Sequence, residues 1–223
     1  YDRSRHFIAI RAFDQHFTRV PWQPREQERP LYQDQTFVLG SATFFKQDFY
    51  TARYIYGFGR TEDVPYGHRV TLTMGWSRHS GISRPYFGVE AEKSLVTRLG
   101  EFYTVAVRAG SYTNNGLEDA TVLLSGSLTS RLIPQGQFLF RQSVMVDYTR
   151  VYRQRTTIPL DINNEFGLQY FRADSLWGTK RFNIQTETVA FSPWQLLGFR
   201  FAPFAFIVGK IAPIEIYLPE IGA

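Results

Sequence analysis

The sequence predicts an all-β fold, an antiparallel transmembrane β-barrel with about ten strands. Three observations predict it. Apolar and polar residues alternate with period two through most of the chain, and helical periodicity is nearly absent. Aromatic residues make up 17% of the 223 residues, yet mean hydropathy is negative, at −0.26. That pairing suits a wall whose apolar band and aromatic girdles are balanced by a polar interior. Finally, no apolar run reaches the ~18 residues that a membrane helix needs.

The strands are expected near 6–13, 36–46, 50–59, 68–77, 86–96, 102–112, 120–131, 137–150, 180–191 and 196–208. Most approach the ~10 residues of a tilted membrane strand. On 50–59, Tyr50, Ala52, Tyr54, Tyr56 and Phe58 share one face. The stretch "RVTLTMGWS" sets Val70, Leu72, Met74 and Trp76 against Thr71, Thr73, Gly75 and Ser77. Phe87, Val89, Ala91 and Leu95 oppose Gly88, Glu90, Glu92 and Ser94. Tyr103, Val105, Val107 and Ala109 oppose Thr104, Arg108 and Gly110. Val122, Leu124 and Leu128 oppose Ser125, Ser127 and Thr129. Phe138, Phe140, Val144, Val146 and Tyr148 oppose Arg141, Ser143, Asp147 and Thr149. Phe182 and Ile184 oppose Arg181, Asn183, Gln185 and Glu187. Side chains on a strand point to alternate faces, so each strand has one apolar and one polar side.

The polar side carries mid-strand charges at Glu90, Glu92, Arg108, Arg141, Asp147, Arg181, Glu187 and Arg200. In a lumen they can pair across strands with water at hand. The opposite side carries few charges, Lys93 among them, as a lipid-facing surface requires. Short breaks are expected at 63–67, 99–101, 134–137 and 192–195. Longer ones are expected at 78–85, 113–119 and above all 151–180. Short turns at one end and long loops at the other place the turns in the periplasm and the loops outside. Strands 68–77, 102–112 and 137–150 then run outward. Tyr66, Trp76, Tyr86, Tyr112, Tyr148 and Trp194 fall near strand ends, where they read as interfacial anchors.

Composition narrows the function classes. The chain has no Cys, which excludes disulfides and Cys-ligated metals. Its net charge of +5 is dispersed, with no dense Lys/Arg run, so nucleic acid is not an expected partner. Four separated His lack metal-ligand spacing, and no metal or other cofactor is expected. Glu62-Asp63 and Glu118-Asp119 read as solvated turn residues. His79 and Ser80 are adjacent and so point apart, and no Gly-x-Ser-x-Gly elbow occurs. Catalysis is not expected. No signal-peptide pattern opens the chain, as in a mature chain or a fragment.

Residues 163–206 read "NNEFGLQYFRADSLWGTKRFNIQTETVAFSPWQLLGFRFAPFAF", and residues 54–77 read "YIYGFGRTEDVPYGHRVTLTMGWS". The first stretch resembles the C-terminal barrel of the bacterial surface-antigen superfamily, which holds the BamA/TamA-type assembly factors and the two-partner secretion transporters. The second is similar to an upstream hairpin of a Bacteroidota-type branch. Asp174-Ser175-Leu176, Gly178, Arg181 and Glu187 match the family pattern, with Phe171 at the aromatic loop tip and Gln169-Tyr170 where the family has Arg-Gly.

The resemblance implies one barrel domain over 1–223, part of a sixteen-stranded barrel, with an extracellular loop at about 151–180 folded into the lumen. It implies a loop-tip and lumen network of Gln169, Tyr170, Phe171, Arg172, Asp174, Gly178, Arg181 and Glu187. Wall partners for a seated loop would be Glu90, Glu92, Arg108, Arg141 and Asp147, with Arg172 or Arg181 paired to an acidic wall residue. The implied location is the outer membrane of a Gram-negative bacterium. The implied role is assembly, insertion or translocation of proteins. Partners would be outer-membrane lipid, unfolded outer-membrane or secreted clients, and other outer-membrane or periplasmic subunits. The alternatives are a passive pore or structural subunit, and a soluble β-sandwich binding module.

Overall fold

The computed structural model describes residues 3–19, 22, 34–55, 57–79, 81–154, 160–161 and 177–211. All its regular elements are strands: β1 (Ser4–Gln15), β2 (Gln35–Arg53), β3 (Thr61–His79), β4 (Ile82–Val96), β5 (Phe102–Thr113), β6 (Leu117–Thr129) and β7 (Ile133–Gln135). They continue as β8 (Phe138–Tyr152), β9 (Leu160–Asp161), β10 (Trp177–Gly178), β11 (Lys180–Phe191), β12 (Gln195–Leu196), β13 (Phe199–Arg200) and β14 (Phe204–Ile211). One large antiparallel sheet has the order β1-β2-β3-β4-β5-β6-β8-β11-β14, with β7 beside β8. The pairs β9–β10 and β12–β13 form two-residue ladders of their own.

The all-β, antiparallel expectation holds, but the ladder does not close into a barrel. Among the described residues, β1 and β14 are the two ends of an open sheet. The predicted segment 36–46 and residues 50–53 of the predicted segment 50–59 form one strand, β2, paired with β3 in unbroken register from Gln35↔His79 to Arg53↔Thr61. The break expected at 63–67 lies inside β3, and the chain reverses between Arg53 and Thr61 instead. Tyr54 has φ 61° there, so it does not share a strand face with Tyr50. The loops expected to be long at 78–85 and 113–119 are tight hairpins between β3 and β4 and between β5 and β6. The ends of β1 and β8 and the starts of β2 and β11 lie at the same end of the sheet as those hairpins. Arg200 sits exposed in the small β12–β13 hairpin, away from the sheet's polar face.

The pairing registers carry the apolar side across the whole sheet. One row of directly opposed residues runs His6, Phe44, Val70, Ala91, Val107, Leu124, Tyr148, Phe182, Ile211. Its neighbour toward the hairpin end runs Ile8, Ala42, Leu72, Val89, Ala109, Val122. This face is exposed: Met74 is 59% accessible, Phe87 54% and Val105 59%. Gln142 is polar on this face, and it hydrogen-bonds the hydroxyls of both Thr186 and Thr188.

The opposite, concave face is polar and holds most of the buried side chains. Among the described residues only Val64, Ala106, Leu123 and Phe191 are buried apolar side chains, outnumbered by buried polar ones such as Thr43, Arg84, Thr149 and Arg181. A water-soluble core is apolar inside; this distribution is inverted.

Two glycines let the sheet curve. Gly67 has φ 145°, and a Cβ there would lie 2.0 Å from the carbonyl oxygen of Lys46, so only glycine fits at this bend in the β2–β3 ribbon. Gly110 faces the interior under the Tyr86 ring, where a Cβ would lie 2.3 Å from the phenol oxygen. Tyr86 covers Gly88 in the same way, restoring the packing two bare glycines would lose.

Below Gly67 the ribbon folds across the concave side. Tyr50 packs edge-on against Phe102 of β5, with ring centroids 5.7 Å apart. Tyr54 and Phe58 both pack on Phe191 at the end of β11, at 5.0 and 5.6 Å. Arg141 of β8 donates to the backbone carbonyl of Arg53 at 3.2 Å. Strands far apart in ladder order thus meet, and Tyr54 and Phe58 cover the lower end of the trough.

Candidate functional site

The polar wall is built by register. The inner row Thr43, Thr71, Glu90, Arg108, Leu123, Thr149, Arg181 crosses seven strands. The next row down holds Arg69, Glu92, Ala106, Ser125, Asp147 and Asn183. Five predicted residues, Glu90, Glu92, Arg108, Asp147 and Arg181, therefore stand on two neighbouring rows, about 7 Å apart along the strands.

On β3, β4 and β5 the charges of these rows pair across neighbouring strands, while Asp147 on β8 keeps a buried Oδ1 without a hydrogen-bond partner among the described residues. Arg69 of β3 donates to Glu90 Oε1 at 2.8 Å and to Glu92 Oε2 at 3.2 Å. Arg108 Nε of β5 lies 3.1 Å from the other Glu90 oxygen. Glu90 is thus clasped between two guanidiniums, and a zigzag of alternating charge spans three strands. Hydroxyls extend it: Thr43 meets Thr71 at 2.9 Å, and Ser94 meets Thr104 at 2.9 Å. On the far side, Arg181, 3% exposed, donates to Thr149 Oγ1 at 3.4 Å.

Arg141 and Glu187 stand lower. Arg141 donates to the carbonyls of Ser130 and Arg53. Glu187 lies opposite Ser143, about 20 Å along the strand from Arg181, so these two charges do not pair with each other. Gly178 pairs with Leu160 in the β9–β10 ladder. Gln169, Tyr170, Phe171, Arg172 and Asp174 lie outside the described residues, and so does Ser80.

A second cluster, missed in the sequence, sits at the hairpin end. Arg84, 2% exposed, donates to Asp119 Oδ2 at 2.6 Å and Glu118 Oε2 at 3.1 Å. Its guanidinium lies 4.4 Å from the centre of the Tyr112 ring. Glu118 and Asp119 are therefore largely shielded ion-pair partners of a buried arginine and not solvated turn residues. The ladder slips between Gly110 and Tyr112, and Asp119 adopts φ 49°; this bulge turns both acids toward Arg84. His79 is buried nearby. The available signal was the alternation of Arg84 with Pro85, which continues the β4 pattern one turn beyond the predicted strand.

Outside the strands, His16 bonds Asp34 at 3.1 Å and sits 3.2 Å from Asp14. The hydrogen bond to Asp34 and the charge of Asp14 raise the imidazole pKa above 6.5. The Phe17 amide and His16 hold the Asp34 carboxyl below its ordinary 3.8. Among the described residues no group of three or more His, Asp and Glu is placed to hold a metal ion.

Comparison with protein-family models, with curated proteins and with solved structures finds no match for this chain.

Proposed function

We propose that this chain forms the wall of an outer-membrane β-barrel of a Gram-negative bacterium. The observation that carries this reading is the inverted burial: a continuous exposed apolar face on one side of the sheet, and on the other buried polar and charged side chains such as Arg84, Arg141, Asp147 and Arg181 beside the half-exposed Arg69–Glu90–Arg108 pairs. Lipid satisfies the first and a lumen the second. The described strands form no second large sheet to cover the apolar face, which counts against a soluble sandwich.

Within that setting the proposed role is assembly, insertion or translocation of proteins, as the resemblance to the surface-antigen superfamily implies. The edges of β1 and β14 without a strand partner in the described sheet support it. Such an edge is a template on which a client strand can form. A passive pore or structural subunit is the second reading, favoured by the self-paired Arg69–Glu90–Arg108 chain, whose charges meet one another without a client.

The test is extraction of the native full-length protein from membranes, then gel electrophoresis in SDS with and without boiling. Dependence on detergent and a heat-shifted band are expected; a protein that stays soluble without detergent overturns the reading. For the role, Glu90→Gln and Glu92→Gln separate the two readings. Altered conductance with intact client assembly favours the pore, and loss of client assembly favours the assembly factor.

A further inference from the structure

The apolar band does not run parallel to the hydrogen-bonded rows. On β3 the outward face reads His68, Val70, Leu72, Met74, Trp76, Arg78, so basic residues bound the band at both ends. Lys46 and Lys93 stand in the same row as His68 and extend that lower boundary to β2 and β4. On β8 and β11 the upper boundary is Arg150 and Lys180, which are directly opposed. They lie one alternate position above the row that holds Val70, Tyr148 and Phe182, whereas Arg78 lies four alternate positions above it.

The upper boundary therefore slips by six residues, about 20 Å, between β3 and β11. Those strands are five ladder steps apart, about 24 Å. The ratio is an average strand tilt of about 40° to the normal of the band, inside the range of membrane barrels. The band height closes independently. His68 to Arg78 spans about 33 Å along the strand, which projects to about 25 Å at that tilt, the height of the apolar band of an outer-membrane barrel.

We infer that the sheet crosses a bilayer obliquely, with lipid phosphates as the partners of two basic rims: Arg78, Arg150 and Lys180 on the hairpin side, and Lys46, His68 and Lys93 on the other. Arginine and lysine at such edges keep their stems in the apolar layer and their heads at the phosphates. Arg150 also lies over the Tyr152 ring at 4.4 Å, a cation beside an aromatic in the manner of an interfacial belt. One hydrogen-bonded row then passes from the lower headgroups to the upper ones. Val70 lies near the lower rim, Val107 near mid-bilayer and Phe182 near the upper rim.

This rests on the membrane reading, and the experiment separates the two. The chain has no cysteine, so V70C, V107C and F182C each carry a single fluorescent label after reconstitution into phospholipid vesicles. Quenching is then measured with lipids bearing nitroxide at the headgroup or at the end of the acyl chain. The expected result is at least a twofold preference for chain-end over headgroup quenching at position 107, reversed at 70 and 182. Equal depth at the three positions overturns the tilt while leaving the membrane wall intact. No quenching by either lipid at any position overturns both.

Discussion

Arg141 hydrogen-bonds the backbone carbonyl of Arg53, 88 residues earlier in the chain. The contact joins β8 to the β2–β3 ribbon across the mouth of the trough, beside the packing of Tyr54 and Phe58 on Phe191. Arg141 is held by two carbonyls and is 6% exposed. Arg141→Ala is expected to free the ribbon, to cost about 1–3 kcal/mol, and to raise single-channel conductance in planar bilayers. Unchanged conductance with lowered stability would mean that the ribbon braces the wall without obstructing it.

Arg84–Asp119, at 2.6 Å, is shorter and less exposed than the Arg69–Glu90–Arg108 pairs of the wall. Removing the cation leaves two carboxylates in a nearly closed site. Arg84→Ala is expected to destabilise the folded protein by about 3–5 kcal/mol, measured by urea unfolding in vesicles. Asp119→Asn should cost more than Glu118→Gln, because the Asp119 contact is the shorter, 2.6 against 3.1 Å.

The two faces predict opposite tolerances. Leu72 is on the outer face near the middle of the apolar band, 46% exposed. In a bilayer, Leu72→Arg should cost about 2–4 kcal/mol, while Ser127→Arg on the concave face should stay within about 0.5 kcal/mol. A charge on an exposed residue of a water-soluble sheet would cost almost nothing. Equal, small effects at both positions would therefore argue against lipid contact.

The His16 clasp predicts a pH window. The imidazole pKa is raised above 6.5, so its contribution is complete below that pH and is lost as pH climbs through the folded value. The Asp34 pKa is lowered below 3.8, so its contribution is present above that pH and is lost as pH falls through the folded value. Both act together between pH 3.8 and 6.5. Hydrogen exchange at the Phe17 amide, which donates to Asp34, should be slowest in this window relative to the intrinsic rate. His16→Ala should remove its upper boundary.

The faces were legible because period two survives in nearly every strand. Val70 to Trp76, Phe87 to Ala91 and Tyr103 to Ala109 all sit on the side their alternation assigns. Strand ends were not legible. Lys46-Gln47-Asp48 looks like an interruption, yet β2 runs through it because the ribbon there has left the apolar band. Gly67 marks a bend, not a turn, and only the nearness of the Lys46 carbonyl distinguishes the two. The polar wall was legible as residue types on a face. Its pairing was not, because cross-strand partners depend on register, and Asp119 meets Arg84 through a bulge with no signature in residue spacing.

The path of the chain through the sheet also orders its folding. The long strands pair in sequence without crossovers, so each hairpin can add to the one before at little cost in loop closure. Phe191 is one exception, for it completes a cluster begun at Tyr54 and Phe58 only after eight further strands, β3 to β10, have been laid down. The wall can be in place while its lower mouth is still open, and closing that mouth is the late event of maturation.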